Sequence, residues 1–285
     1  MRGLLFEDHT AKMIFLLVGL LATYMAGIIL PPCFPGRPRI QNLVAHGLAA
    51  GAGLVGIVFG LAGLLAPEPW TASVESTIPF LTFAIRLDPL ASFFVLTISV
   101  VGLAASIFAL GYVTEFYGRA SIAAMGSLFN GFLLSMTLVV IADNGFFFLI
   151  VWELMSLLSY FLVVTEHEKA NVRYAGLFYL IMTHVGTMFI MLTFLIFFQG
   201  AGSFSFEAFR HPEQPLPGGM RTLAFLMALL GFGAKAGIVP LHVWLPYAHP
   251  AAPSHISALM SGVMIKTAIY ALLRVYFDFL GGQFS

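Results

Sequence analysis

Five stretches of this chain, residues 13–36, 40–67, 89–114, 120–142 and 174–206, contain no Asp, Glu, Lys or Arg. A helix needs about 20 mostly apolar residues to cross the hydrocarbon core of a bilayer. Each stretch is long enough for one span, and within lipid only a helix or a closed barrel satisfies its own backbone. Three further stretches, 144–165, 222–242 and 249–273, are equally free of Asp, Glu, Lys and Arg except for one residue each: Glu153, Lys235 and Lys266. The pattern predicts an all-α integral membrane protein of eight helices. A signal peptide is the competing reading of the first stretch, but its apolar part exceeds the usual 7–15 residues.

Composition narrows the chemistry. Hydrophobic residues make up 60% and charged residues 9% of the 285, against about 25% charged in soluble domains. Net charge is zero, so no basic surface suggests nucleic acid. Cys33 is the only cysteine, which excludes an internal disulfide framework and any Cys-based metal site. No nucleophile–base set, phosphate loop or metal-ligand spacing stands out. No cofactor is therefore expected in this chain, and any redox chemistry must take place elsewhere.

The connections are short. Pro31, Pro32, Pro35 and Pro38 break the chain after the first helix, and Asp143-Asn144-Gly145 makes a tight turn between the fourth and fifth. The longer 67–88 connection holds the stretch 80–86, read as one short strand outside the bilayer. Residues 204–221 read as an irregular loop. Arg37, Arg39, Arg119, Lys169 and Arg173 fall on one side, and Arg2, Lys12, Arg86, Arg210, Arg221 and Arg274 on the other. With the cations so nearly balanced, the positive-inside rule does not choose an orientation.

A charge at the bilayer centre costs roughly 2.5–3.5 kcal/mol on insertion scales. Three would cost about 8–10 kcal/mol, comparable with the roughly 5–15 kcal/mol stability of a whole domain. One acid and two bases on three helices read as a proton or cation path. Glu153 lies about nine residues past the Asn-Gly turn, roughly 14 Å deep. Tyr160, seven residues on, falls near the same face. Lys235 sits among Gly231, Gly233, Gly237 and Pro240, a density that weakens the seventh helix on both sides. Broken helices at membrane depth occur where they face protein or a watery cavity. A lysine snorkelling to the surface is the bland alternative. Lys266 follows His255 by eleven residues, which returns to within about 20° of the same face, about 16 Å along. That spacing suits a water-bridged relay, with packing as the alternative role for His255. His184, beside Thr183 and Thr187, reads as a packing residue or as part of the water path, and His242 and His249 as interfacial.

The segments VWELMSLLSYFLVV and GFGAKAGIVPLHVWLPYAHPAAPSHISALMSGVMIKTAIYALLR resemble the antiporter-like membrane subunits of respiratory complex I. The same superfamily includes the Mrp cation/proton antiporters and the group 4 nickel–iron hydrogenases of the formate hydrogenlyase type. The APSHISALMSGVMIKTAIY wording is most similar to the hydrogenase branch. The resemblance implies that Glu153 is the acid of the fifth helix, Lys235 the lysine of the broken seventh and Lys266 that of the eighth. It implies residues 1–115 as three leading helices and 120–275 as one five-helix antiporter-like unit. It also implies a multi-pass protein of the cell inner (plasma) membrane, with the N-terminus and the 67–88 connection outside. Other membrane and peripheral subunits of a respiratory oxidoreductase complex are the implied partners. Relatives have about fourteen helices in two such units; the expectation is that the gene is split or truncated, or that another polypeptide supplies the second. A Na⁺/H⁺ antiporter subunit of the Mrp type and a structural half-subunit without transport of its own are the alternative functions. The expected mechanism is a switching ion pair: Glu153 beside Lys235 holds its proton, and separation pushes the proton toward Lys266. At an effective dielectric of 20, a pair at 4 Å is worth about 4 kcal/mol and at 8 Å about half that.

Overall fold

A computed structural model describes residues 2–281, with side chains from residue 10 onward. Residues 1 and 282–285 lie outside the described residues. Eight helical spans are long and apolar enough to cross a membrane: Thr10–Cys33, Pro38–Leu64, Pro89–Phe116, Ile122–Ile141, Gly145–Glu166, Ala170–Ala201, Gly218–Ala251 and Ser254–Phe279. The protein is an all-α integral membrane protein. Its helices α1 (Arg2–Ile29), α2 (Pro38–Leu64), α3 (Pro89–Tyr112), α4 (Ile122–Ile141), α5 (Gly145–Val163) and α6 (Ala170–Ala201) each make one span. The seventh span is α8 (Gly218–Ala236), a break and α9 (Leu245–Ala251); the eighth holds α10 (Ser254–Leu259) and α11 (Ile265–Leu273).

Local chemistry sets the helix starts. Asp88 accepts from Ala91 N at 2.9 Å ahead of Pro89, and Asn144 accepts from Phe146 N and Phe147 N at 3.0 and 2.9 Å. These side chains satisfy amide donors that the first turn leaves open. Span α4 is the most enclosed, with 78% of its apolar window buried, and Phe129, Phe132 and Leu133 anchor the core there. Helix α2 lies directly on α3. A Cβ at Gly60 would stand 2.9 Å from Leu96 N and 3.0 Å from Ser92 O, so only glycine allows that approach.

One end of the bundle carries the extramembrane structure and is called the hairpin end below. The single strand expected at 80–86 is half of an antiparallel hairpin, β1 (Trp70–Glu75) and β2 (Thr82–Leu87), with Trp70 opposite Leu87 and Glu75 opposite Thr82. Phe80 falls in the turn, at φ 68°, which moves the strand start to Thr82. The loop expected to be irregular contains a short helix, α7 (Phe206–Arg210), because Phe206 and Phe209 both bury into the core. Arg210 on α7 reaches Asp143 Oδ1 at 2.9 Å and Glu207 at 3.2 Å, and Arg86 of β2 meets Glu207 at 3.3 Å. Arg274 is buried; its Nη1 lies 2.5 Å from Asp88 Oδ2 and 2.6 Å from Asp278 Oδ2, and its Nη2 bonds Asp88 Oδ1. One charge network thus ties the hairpin, the α3 cap, the α4–α5 turn and α7 to the end of the last span.

Burial pushes the Asp88 carboxyl up, but the hydrogen bonds and charge of Arg274 outweigh it and leave the group below its ordinary value. At Asp143 burial wins over Arg210, and the carboxyl rises. Because the Asp88 value is depressed on folding, its contribution is complete above the ordinary carboxylate value of about 4 and is lost as pH falls through the lower folded value. Removing one partner of a buried pair costs about 3–5 kcal/mol. Arg274→Leu should therefore destabilise by that order in denaturant titrations in detergent micelles. In the variant, burial acts on the Asp88 carboxyl without Arg274 to oppose it, so part of that loss should be recovered as pH falls and the carboxyl takes a proton, read by hydrogen exchange of the hairpin.

Candidate functional site

The site is built at the end of α8. Gly237, at φ 73°, ends that helix with a conformation L side chains rarely adopt, and Pro240 lies three residues beyond. The helix is regular up to Ala236, so the break lies on one side of Lys235 and not on both. Gly231 instead admits α6, since a Cβ there would stand 2.8 Å from Gly186 O and 2.9 Å from Ile190 N. A helix end leaves carbonyls without partners. Gly233 O accepts from Ile238 N at 2.9 Å and Ala234 O from Trp244 Nε1 at 2.8 Å. The ammonium at a helix C-terminus is further favoured by the helix dipole.

Lys235 is 2% exposed and does not snorkel. Its Nζ donates to Ser156 Oγ at 2.9 Å and to Tyr179 Oη at 2.7 Å, and Tyr179 Oη lies 2.6 Å from Ser159 Oγ. The amine therefore rests on hydroxyls from α5 and α6. Phe148, Trp152 and Phe232 stack and cross on its hairpin side, with ring centroids 5.4–6.0 Å apart. Tyr179 packs on Trp244 at 4.9 Å toward the other side. The three hydroxyls do not stand out in the sequence as the charges do. A signal exists nonetheless: Ser156 and Ser159 follow Glu153 by three and six residues in an otherwise apolar helix, the spacing of one helix face.

The expected Glu153–Lys235 pair is not formed. Glu153 Oε2 lies 3.3 Å from Nε2 of His184 on α6, so that histidine is a carboxylate partner and not only a packing residue. Glu153 Oε1 is buried without a partner. Glu153 and Ser156, the lysine's anchor, stand about one turn apart on α5. Both Glu153 and His184 are partly exposed on the flank of the bundle.

Lys266 is exposed rather than buried, with its Nζ bonded to Ser261 O. His255 is 1% exposed, so the two do not share a face. The reason lies between them, in a π-helical turn over Met260–Met264. Its i→i+5 bonding takes up about one extra residue, which turns everything beyond it by roughly 100° relative to a uniform α-helix. Lys266 aligns instead with Ser261, Ser257 and His249, whose Nδ1 lies 3.1 Å from Ser257 Oγ. Tyr160 packs against Phe161 and beside Gly176 and makes no hydrogen bond to the lysine cluster.

The site is thus a buried amine on hydroxyls at a broken membrane helix, with an acid one turn away. The chain belongs to the NADH:quinone oxidoreductase/Mrp antiporter transmembrane family, whose model matches residues 142–285. It is 42% identical over 228 residues to hydrogenase-4 component B of Escherichia coli K12, covering 80% of this chain and 33% of that protein. The chain thus spans about a third of the length of that relative. Its fold is similar to a chain of the archaeal membrane-bound sulfane sulfur reductase, with TM-score 0.78 at 18% identity, covering 94% of this chain and 53% of that one. A chain of the Mrp complex from Dietzia sp. DQ12-45-1b also gives TM-score 0.78, at 20% identity, covering 93% of this chain and 28% of that one.

A hydrogen bond to a charged group contributes about 1.5–3 kcal/mol. Tyr179→Phe should cost stability in that range in detergent unfolding. Ser159→Ala, which leaves both contacts of the ammonium in place, should cost about 1 kcal/mol.

Proposed function

We propose that this chain is a proton-translocating membrane subunit of a redox-driven complex of the hydrogenase type, set in the cell inner membrane. The observation that carries the reading is the Lys235 amine, buried at a helix break on hydroxyls from two other spans. Such a group can gain and lose a proton without lipid contact, and its partners stay neutral in both states. The similarity to hydrogenase-4 component B supports the choice of complex.

Glu153 is shared in this mechanism between two bases. Bound to His184, it leaves Lys235 on neutral partners alone. Swung one turn along α5, its unpartnered Oε1 faces the ammonium and holds the proton there. A shift of about 4 Å in an ion pair changes its energy by about 2 kcal/mol at an effective dielectric of 20. That suffices to bias a proton toward or away from the lysine. Lys266 is the acceptor further on, about 18 Å along its span. A lysine facing lipid at that depth costs roughly 2.5–3.5 kcal/mol, which supports a partner polypeptide against this face, in keeping with the expected second antiporter-like unit. The flank bearing Glu153 and His184 suits contact with a neighbouring subunit.

Glu153→Gln should depress redox-driven proton uptake into inverted vesicles while electron transfer stays partly active. Lys235→Ala should abolish uptake. Unchanged pumping in both variants would sink the reading. A Na⁺/H⁺ exchange role is the second reading, supported by the fold similarity to the Mrp complex chain; it requires proton movement in the variants' parent to depend on Na⁺.

A further inference from the structure

Two touching, buried histidines have three of their four ring nitrogens without a partner. His46 of α2 is 0% exposed and His255 of α10 is 1% exposed, and their rings meet edge to face with centroids 5.8 Å apart. His46 Nε2, His255 Nδ1 and His255 Nε2 are buried and unpartnered. A buried polar atom left unsatisfied costs about 1–3 kcal/mol, whereas a water with two or more polar partners removes that cost.

The fourth nitrogen fixes the tautomer of His46. Asn42 Nδ2 donates to Leu110 O at 3.0 Å and to Tyr117 Oη at 3.1 Å. A carbonyl only accepts, so the amide oxygen of Asn42 must be the atom that faces His46, 2.7 Å from its Nδ1. The main-chain oxygen of Asn42 lies 3.2 Å from the same nitrogen. Both neighbours are acceptors, so Nδ1 carries the hydrogen and neutral His46 presents a lone pair at Nε2. The same two oxygens stabilise the imidazolium formed when Nε2 takes a proton.

The position is near the end of the bundle opposite the hairpin. His46 lies eight residues into α2, about 12 Å along. Toward the surface, Ser254 N and Oγ donate to Tyr112 Oη at 3.3 and 3.2 Å, and the Tyr112 ring stands edge-on to His255 at 5.6 Å. Ser254 is exposed and Tyr112 half-buried. Phe129 of α4 backs both imidazoles.

We propose that His46 and His255 form one water- and proton-binding site, the mouth of the proton path at this end, with α2 contributing the accepting nitrogen. A hydronium gives its proton to His46 Nε2 and is left as water. The imidazolium returns that proton to the bridging water, which passes one to an unpartnered nitrogen of His255. The net change is one proton moved and no other bond altered. The inference rests on the proton-moving function proposed above and extends ion handling beyond the 120–275 unit into the leading helices.

The test uses the complete complex in liposomes with a pH-sensitive dye and redox turnover. His46→Gln keeps a donor for Asn42 but no titratable nitrogen. It should assemble, retain electron transfer and lower proton uptake by about a hundredfold, the low end of losses when a proton-transferring side chain is removed. His255→Gln should do the same, and the double variant should be no worse than either. Uptake at the parental rate in His46→Gln overturns the proposal. With Lys235→Ala as control, loss there but not in the histidine variants sinks this site alone; persistence in all three sinks the function reading itself. Independently of assembly, ring-¹⁵N histidine NMR should show a His46 signal, identified by its absence in His46→Gln, with Nδ1 protonated and Nε2 bare. The reverse tautomer overturns the proposal.

Discussion

A single ammonium held in the middle of a membrane protein dictates much of what surrounds it. Lys235 cannot be left on apolar neighbours, because a charge at that depth costs several kcal/mol. Its partners must come from other spans, since its own helix uses its backbone groups internally. The chain meets this with hydroxyls on α5 and α6, and these fix how the two helices pack on α8. Gly186 and Gly231 let α6 and α8 approach closely, and from α6 the long Tyr179 side chain reaches the amine. The break after Ala236 leaves carbonyls of its own, and these bond Trp244 and Ile238.

How much of this is legible in the sequence depends on whether the information is periodic. Span number and approximate position follow from the distances between charges, since lipid tolerates few irregularities. Glu153, Lys235 and Lys266 stand out for the same reason. Fine geometry within the spans does not show. The π turn at Met260–Met264 has no composition signal, yet it moves Lys266 to an exposed face and leaves His255 on a buried one. Opposite charge points from Glu153 to Lys235, whereas helix phase brings His184 of α6 to the carboxylate. The hairpin's first strand does carry a signal, since Trp70–Glu75 alternates apolar and polar residues, but a run of six is short beside the spans.

The two ends of the bundle differ in kind. At the hairpin end, arginines and carboxylates are matched pairwise by Arg274, Arg210 and Arg86, and an aromatic layer of Phe148, Trp152 and Phe232 separates them from Lys235. Paired ions resist a change of protonation, because each loses its partner if it titrates. At the opposite end, ion pairs such as Lys169–Glu166 stay on the surface, whereas the buried polar side chains Asn42, His46, Asn130 and His255 carry no formal charge and several are incompletely bonded. Unfilled hydrogen-bonding capacity invites water, and neutral imidazoles can take and return a proton.

That contrast gives the proposed path a direction that the three mid-membrane charges alone do not have. A proton arriving from the hairpin end would meet ion pairs that gain nothing by releasing it and then rings that exclude water. One arriving from the other end meets imidazoles with open lone pairs, and beyond them the hydroxyl-held amine. From Lys235 the aromatic layer blocks onward movement toward the hairpin, so the remaining exit is sideways, toward the exposed face of the last span. Lys266 stands on that face because of one π turn. A local irregularity of the backbone thus decides whether the proposed path would end inside this chain or at its outer face.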